Sequence, residues 1–116
     1  IYGAPFVAEE PRISVAVLGL MGLVSEPAHY APKIKAAAAA ITCPVFFILQ
    51  LEDELFTREE CLGLFDALAS EDKRLHASPG LHPNVPIEEL DYSVEFLTSF
   101  LDGTRPPREV LLKVSE

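Results

Sequence analysis

Residues 43–60 read Cys43-Pro44-Val45-Phe46-Phe47-Ile48-Leu49-Gln50-Leu51-Glu52-Asp53-Glu54-Leu55-Phe56-Thr57-Arg58-Glu59-Glu60. Val45 to Leu49 are apolar without polar alternation, as in a strand covered on both faces of a parallel sheet. Pro44 suits the first position of such a strand, where a missing N–H costs no ladder bond. An acidic turn, Glu52-Asp53-Glu54, follows. Thr57-Arg58-Glu59-Glu60 then has the form of a capping box, with Thr at the N-cap and Glu three residues on. Beyond it Cys61, Leu64, Phe65 and Leu68 fall at i, i+3, i+4 and i+7, the apolar stripe of a helix facing a core.

The same alternation extends in both directions. Upstream, Ile13 to Leu20 is a second apolar, β-branched run of strand length, and residues 22–27 read as a loop. Tyr30 to Ala40 has helical propensity, with Lys33 and Lys35 turned outward and alanines from Ala36 to Ala40. Ile1 to Glu10 reads as the end of a buried helix stopped by Pro11. Downstream, Lys73 to Ala77 forms a weaker third strand, ended by Ser78-Pro79-Gly80. Pro86 suits the first turn of a last helix, Glu88 and Glu89 favour its positive end, and Gly103 stops it. Leu90, Val94, Leu97 and Leu101 are expected on its buried face. The architecture predicted is α/β: three layers, a mainly parallel sheet with flanking helices, the strands joined by right-handed crossovers. One partial domain spans residues 1–103, and residues 104–116 form a tail.

Composition narrows the function. Nine Lys+Arg against 18 Asp+Glu give a net charge of −9 over 116 residues, which argues against nucleic acid and against an anionic membrane as partners. No apolar run reaches the roughly 18 residues needed to cross a bilayer. Two cysteines, Cys43 and Cys61, read as free thiols in a reducing compartment, and no leader-like segment opens the chain. A soluble, cytoplasmic protein is the expectation. Ile1 is not an initiator Met, and residues 1–10 already read as helix, so the chain is expected to be a piece of something longer.

In open parallel sheets the chemistry gathers past the carboxyl ends of the strands. Two such ends carry titratable groups here: Glu52-Asp53-Glu54 after the second strand, and Gly80-Leu81-His82 after the third. A carboxylate and an imidazole meeting there would form an acid–base pair, the acid holding one ring nitrogen and leaving the other to take a proton from a nucleophile. Three adjacent carboxylates repel, so one of them is expected to be partly protonated or turned away. The bland reading is a solvated histidine beside an acidic surface turn.

Order and context favour the first reading. Apolar strand, acidic turn, capped helix, strand, Gly-Leu-His and helix, in that succession, resemble the C-terminal half of α/β-hydrolases, the dienelactone-hydrolase-like group in particular. The residues that carry the likeness are Cys43 to Gln50, Glu52 to Leu55, and Gly80-Leu81-His82, and it extends over about residues 1 to 102. The resemblance implies that Asp53 is the triad acid and His82 the triad base of a serine hydrolase acting on an ester or similar acyl substrate, with no metal or organic cofactor. Leu81 departs from the small residue many relatives have there.

The nucleophile is the main departure. A nucleophile elbow needs Gly-x-Ser-x-Gly on a sharp strand-to-helix turn, and no serine here sits between two glycines at that spacing. Cys61 belongs to a buried stripe, and Cys43 lies at the wrong end of the sheet. The resemblance places the serine a few residues before Ile1, so residues 1–116 alone are expected to be inactive. Met21, Leu23 and Tyr30, after the first strand, are candidates for pocket lining. His29, His76 and His82 have no zinc spacing, His76 reads as a packed or edge residue, and Gly19-Leu20-Met21-Gly22 lacks the lysine and glycine spacing of a phosphate loop. A rival reading is a stand-alone α/β module. Its first strand would be an open apolar edge that pairs with another copy, or with a separately encoded N-terminal half.

Overall fold

The computed structural model describes residues 3–24 and 30–104. Among these residues seven elements follow one another: α1 (Gly3–Glu9), β1 (Ala16–Gly19), α2 (Tyr30–Ala40), β2 (Val45–Gln50), α3 (Arg58–Ala67), β3 (Lys73–Ser78) and α4 (Ile87–Leu101). The three strands are parallel, in the order β1-β2-β3. All six residues of β2 are buried. Val45, Phe47 and Leu49 point to a core shared with α1, α2 and α3, and Phe46 and Ile48 to a second core beneath α4. The α/β, three-layer architecture read from the sequence is the one observed. The tail lies outside the described residues, apart from Thr104.

Chain ends and turns explain where elements stop. The run Ile13 to Leu20 yields only a four-residue strand. Its pairing starts where Ala16 N–H donates to Pro44 O, the residue just before β2 begins. It ends at Leu20, whose φ of 55° takes the backbone off the sheet, a conformation that a branched residue adopts only when its surroundings enforce it. Gly19 has to be glycine, because a Cβ there would lie 2.6 Å from Ile48 O on the neighbouring strand. Met21 then turns into the main core at 3% exposure, so it packs the interior and does not line a pocket. Leu23 rests beside Gly63 of α3. Residues 19–22 are thus a packing turn, and 25–27 of the expected loop lie outside the described residues, as does His29.

Helix α3 carries the capping box in full: Thr57 accepts from Glu60 N–H and Glu60 accepts from Thr57 N–H. Cys61, Leu64 and Leu68 are buried, and Phe65 packs against their core. At its other end, Lys73 Nζ donates to the carbonyls of Phe65, Asp66 and Leu68. One cation therefore satisfies the open end of α3 and fixes the start of β3.

The last helix departs from the sequence expectation. Leu90, Val94 and Leu101 are 48%, 62% and 67% exposed, whereas Phe96 is fully buried. Tyr92, Leu97 and Phe100 pack around Phe96, so of the expected stripe only Leu97 is half-buried. Aromatic rings decide the face. Phe46 on β2 meets Tyr92 edge-on at 4.8 Å and Phe96 at 5.8 Å. Arg74 on β3 bonds the Tyr92 hydroxyl and lies over the rings of Phe96 and Phe100. Such ring pairs contribute roughly 0.5–1.5 kcal/mol each beyond the area they bury. Pro86 is the N-cap rather than a residue of the first turn.

Phe96→Ala is therefore expected to cost about 3–5 kcal/mol. Val94→Ala should stay within about 0.5 kcal/mol. Urea unfolding of residues 1–116 separates the two; equal losses would mean that the aliphatic stripe is the buried one.

Candidate active site

The carboxyl ends of β2 and β3 bring the two candidate residues together. His82 Nδ1 lies 2.8 Å from Asp53 Oδ2. The Asp53 side chain is 1% exposed and that of His82 25%, so the acid is sealed beneath the ring and the imidazole reaches solvent. Phe56 faces the ring at 6.0 Å. Asp53 Oδ1 accepts from the N–H groups of Leu55 and Phe56, which ties the carboxylate to the turn entering α3. Burial pushes the Asp53 carboxyl up, but the hydrogen bonds from Leu55 N–H, His82 and Phe56 N–H outweigh it and hold the pKa below its ordinary 3.8. With Asp53 ionised, Nδ1 of the imidazole is the donor, and in the neutral ring Nε2 is left as an acceptor.

Glu52 and Glu54 each accept a backbone hydrogen bond from the neighbouring loop. Glu52 Oε1 accepts from Gly80 N–H at 2.6 Å, and Glu54 Oε1 from His82 N–H at 2.8 Å. The His82 amide lowers the Glu54 pKa from its ordinary 4.5. Of the two outcomes expected of three adjacent acids, partial protonation or turning away, Asp53 and Glu54 do not show the first, because each faces its own donor, and Glu52 and Glu54 show the second in being exposed. Arg58 bonds Leu51 O and reaches Glu52 Oε2 at 3.2 Å.

Gln50, the polar residue that closes an otherwise apolar β2, is a site residue the sequence reading passed over. It is 1% exposed, and its Nε2 donates to the carbonyls of Leu81 and Asn84. Its Oε1 has no partner among the described residues. A buried amide that spends both its protons on one loop fixes that loop's path. Gly80, at φ +131°, makes the turn between β3 and His82 in a conformation open to glycine, and a Cβ there would press on Gln50 Nε2 at 3.1 Å.

Other candidates separate from the pair. Cys61 is 1% exposed, and burial, with Asp53 and Glu60 nearby, raises its pKa to about 11, so it holds a proton and packs the core. Cys43 and Cys61 are both free thiols. Ser70 is buried, with its hydroxyl on Ile41 O and Cys43 O at the opposite end of the sheet. His76 packs against Phe46 and Tyr92 and bonds Glu89 Oε2 at 2.6 Å, joining the edge strand to α4. Tyr30 lines a groove of about 460 Å³ between α1 and α2 whose lining includes neither Asp53 nor His82. No group of three His, Cys, Asp or Glu side chains among the described residues is arranged to hold a metal ion. No helix among them is long and apolar enough to cross a membrane.

Among the solved structures that share this fold are three of a cold-adapted esterase from an Arctic intertidal metagenomic library. The native structure matches with a TM-score of 0.75 and 38% identity over 82% of this chain and 42% of that one. The zinc-bound structure matches with 0.75 and 40% over the same shares, and the PEG-bound complex with 0.75 and 38% over 82% and 40%. The chain thus spans about two-fifths of the length of that esterase. No family model and no curated protein matches the chain.

Asp53 and Glu54 titrate low, which fixes the sign of their pH dependence. Their stabilising effect is full above the ordinary carboxylate values of 3.8 and 4.5. It is lost as pH falls through the lower folded-state values. Asp53→Asn is expected to flatten the acid limb of the stability curve below about pH 4, measured by urea unfolding at successive pH values. An acid limb unchanged in the variant would show that Asp53 is not held ionised by the fold.

Proposed function

We propose that this chain is the C-terminal portion of a serine hydrolase of the α/β-hydrolase type, dienelactone-hydrolase-like, acting on an ester or related acyl substrate. The observation that carries the reading is the 2.8 Å contact between His82 Nδ1 and a sealed Asp53 at the carboxyl ends of adjoining parallel strands. Likeness to an esterase at 38–40% identity supports it.

The chemistry follows from the proton positions. His82 Nε2 takes the proton of a serine hydroxyl supplied by sequence upstream of residue 1, and the serine oxygen attacks the carbonyl carbon. The imidazolium then gives that proton to the departing alkoxide as the carbon–oxygen bond breaks, leaving an acyl-serine. Water repeats the sequence: it loses a proton to Nε2, attacks the acyl carbon, and the serine leaves with the proton. Asp53 stays ionised throughout and, acting through Nδ1, orients the ring and stabilises its charged form. Every step is a proton transfer coupled to acyl transfer, so the reading invokes no cofactor.

In this reading the rest of the protein covers two surfaces. β1 is an edge of the described sheet, and α4 carries Leu90, Val94 and Leu101 in the open. An apolar strand edge is suited to continuing the sheet, and an exposed apolar helix face to being covered. The same two surfaces favour the second reading, a stand-alone module that assembles with copies of itself through β1. A sedimentation run at micromolar concentration distinguishes them, since a clean monomer removes the module. The charge of −9 keeps nucleic acid out of either account.

In the full-length protein, His82→Ala is expected to lower hydrolysis of p-nitrophenyl acetate by about 10⁴-fold or more. A fluorophosphonate should label a serine upstream of this segment. Residues 1–116 alone are expected to be inactive; turnover by them that His82→Ala abolishes would overturn the proposal.

A further inference from the structure

The β2–β3 register does not stop where the strands do. Val45 faces Lys73 and Gln50 faces Ser78, an offset of 28 residues throughout. Glu52 and Gly80 stand at the same offset, as do Glu54 and His82. Leu51 N–H still bonds Ser78 O, and Glu52 N–H bonds Gly80 O at 3.1 Å. Beyond that point the acceptors for the amides of Gly80 and His82 are side chains, the carboxylates of Glu52 and Glu54.

We propose that Glu54, with Glu52, is a positioning residue for His82: the two carboxylates carry the sheet register past the strand ends and fix the backbone from which the imidazole reaches Asp53. This rests on the reading of His82 as the base. Three acids in a row repel, and that cost is offset here because each meets a separate N–H or ring donor. Gln50 holds the same loop through Leu81 O and Asn84 O, so residues 80–84 are gripped by one buried amide and by two carboxylates. Of the backbone bonds of this loop, the one at the His82 amide is nearest the ring. A charge-assisted bond at that position outlasts a neutral one, and small displacements of a reacting group lower rates steeply.

The test compares Glu54→Ala with Glu54→Gln in the full-length protein, because the Gln carbonyl can still accept from His82 N–H. Glu54→Ala is expected to lower kcat about 10- to 100-fold with KM little changed. It should also speed hydrogen exchange of the His82 amide about 10-fold or more and shift the ¹⁵N resonances of the His82 ring. Glu54→Gln is expected to restore most of all three, a rescue that loss of charge alone would not give. Glu52→Ala serves if Glu54→Ala fails to fold, with the same three readouts expected to move in a smaller degree, since Glu52 N–H keeps Gly80 O. The proposal is overturned if the variant that folds leaves exchange, ring resonances and kcat as in the parent, or if Glu54→Gln is as damaging as Glu54→Ala. His82→Ala keeps the two claims apart. If it leaves turnover intact, the base assignment fails, while exchange and ring resonances in Glu54→Ala still report on the grip.

Discussion

Val45 to Gln50 lie with all six side chains out of water, and a strand in that condition has to be covered on both faces and paired on both edges. Helices α1 to α3 cover one face and α4 the other, while β1 and β3 supply the hydrogen-bonded neighbours. Because β2 and β3 are parallel, their carboxyl ends finish side by side. The loops that leave them run on together, so an acid from one loop and an imidazole from the other meet over 29 residues of sequence. The pair is a product of the burial of one strand.

Much of this was legible in the chain itself. An unbroken apolar run can only be a doubly covered strand or a buried helix, and Pro44 before it and the acidic turn after it decide for the strand. Thr57 and Glu60 announce the start of α3 because the cap is built from their own side chains. Strand ends alone allow an acid of the 52–54 turn to meet His82, and the order of the elements, through its resemblance to α/β-hydrolases, singled out Asp53. The face of α4 could not. Its sequence holds an aliphatic stripe at 90, 94, 97 and 101 and an aromatic one at 92, 96 and 100, and periodicity gives no reason to prefer either. What decides is a third party, the ring of Phe46 with Arg74 beside it, on strands that the local pattern of α4 does not contain. Glu52, Glu54 and Gln50 escaped for a related reason. Their partners are backbone groups, which every residue carries and no sequence distinguishes.

The two histidine–carboxylate contacts show how setting separates chemistry from structure. His76 and His82 each place Nδ1 within hydrogen-bonding reach of an acid, at 2.6 and 2.8 Å. His76 stands mid-strand between the rings of Phe46 and Tyr92, where its bond to Glu89 serves to dock α4. His82 stands beyond the sheet, with its acid buried and its outer edge open to solvent. The geometry of the bond is shared, and so is the exposure of the two rings; the difference lies in the acid, sealed at 1% for Asp53 against 17% for Glu89, and in the place of His82 past the strand ends.

Burial of Cys61 has a practical side. A thiolate is what reacts with disulfide and maleimide reagents, and this one lies at 1% exposure with its proton held until about pH 11. Cys43 is only half-buried. A thiol reagent therefore meets the two cysteines at different rates, and the slow one can react only when α3 lifts from the sheet. Since Asp53 and the entry to α3 are tied by hydrogen bonds from Leu55 and Phe56, the labelling rate of Cys61 is a built-in clock for how often the floor of the site opens.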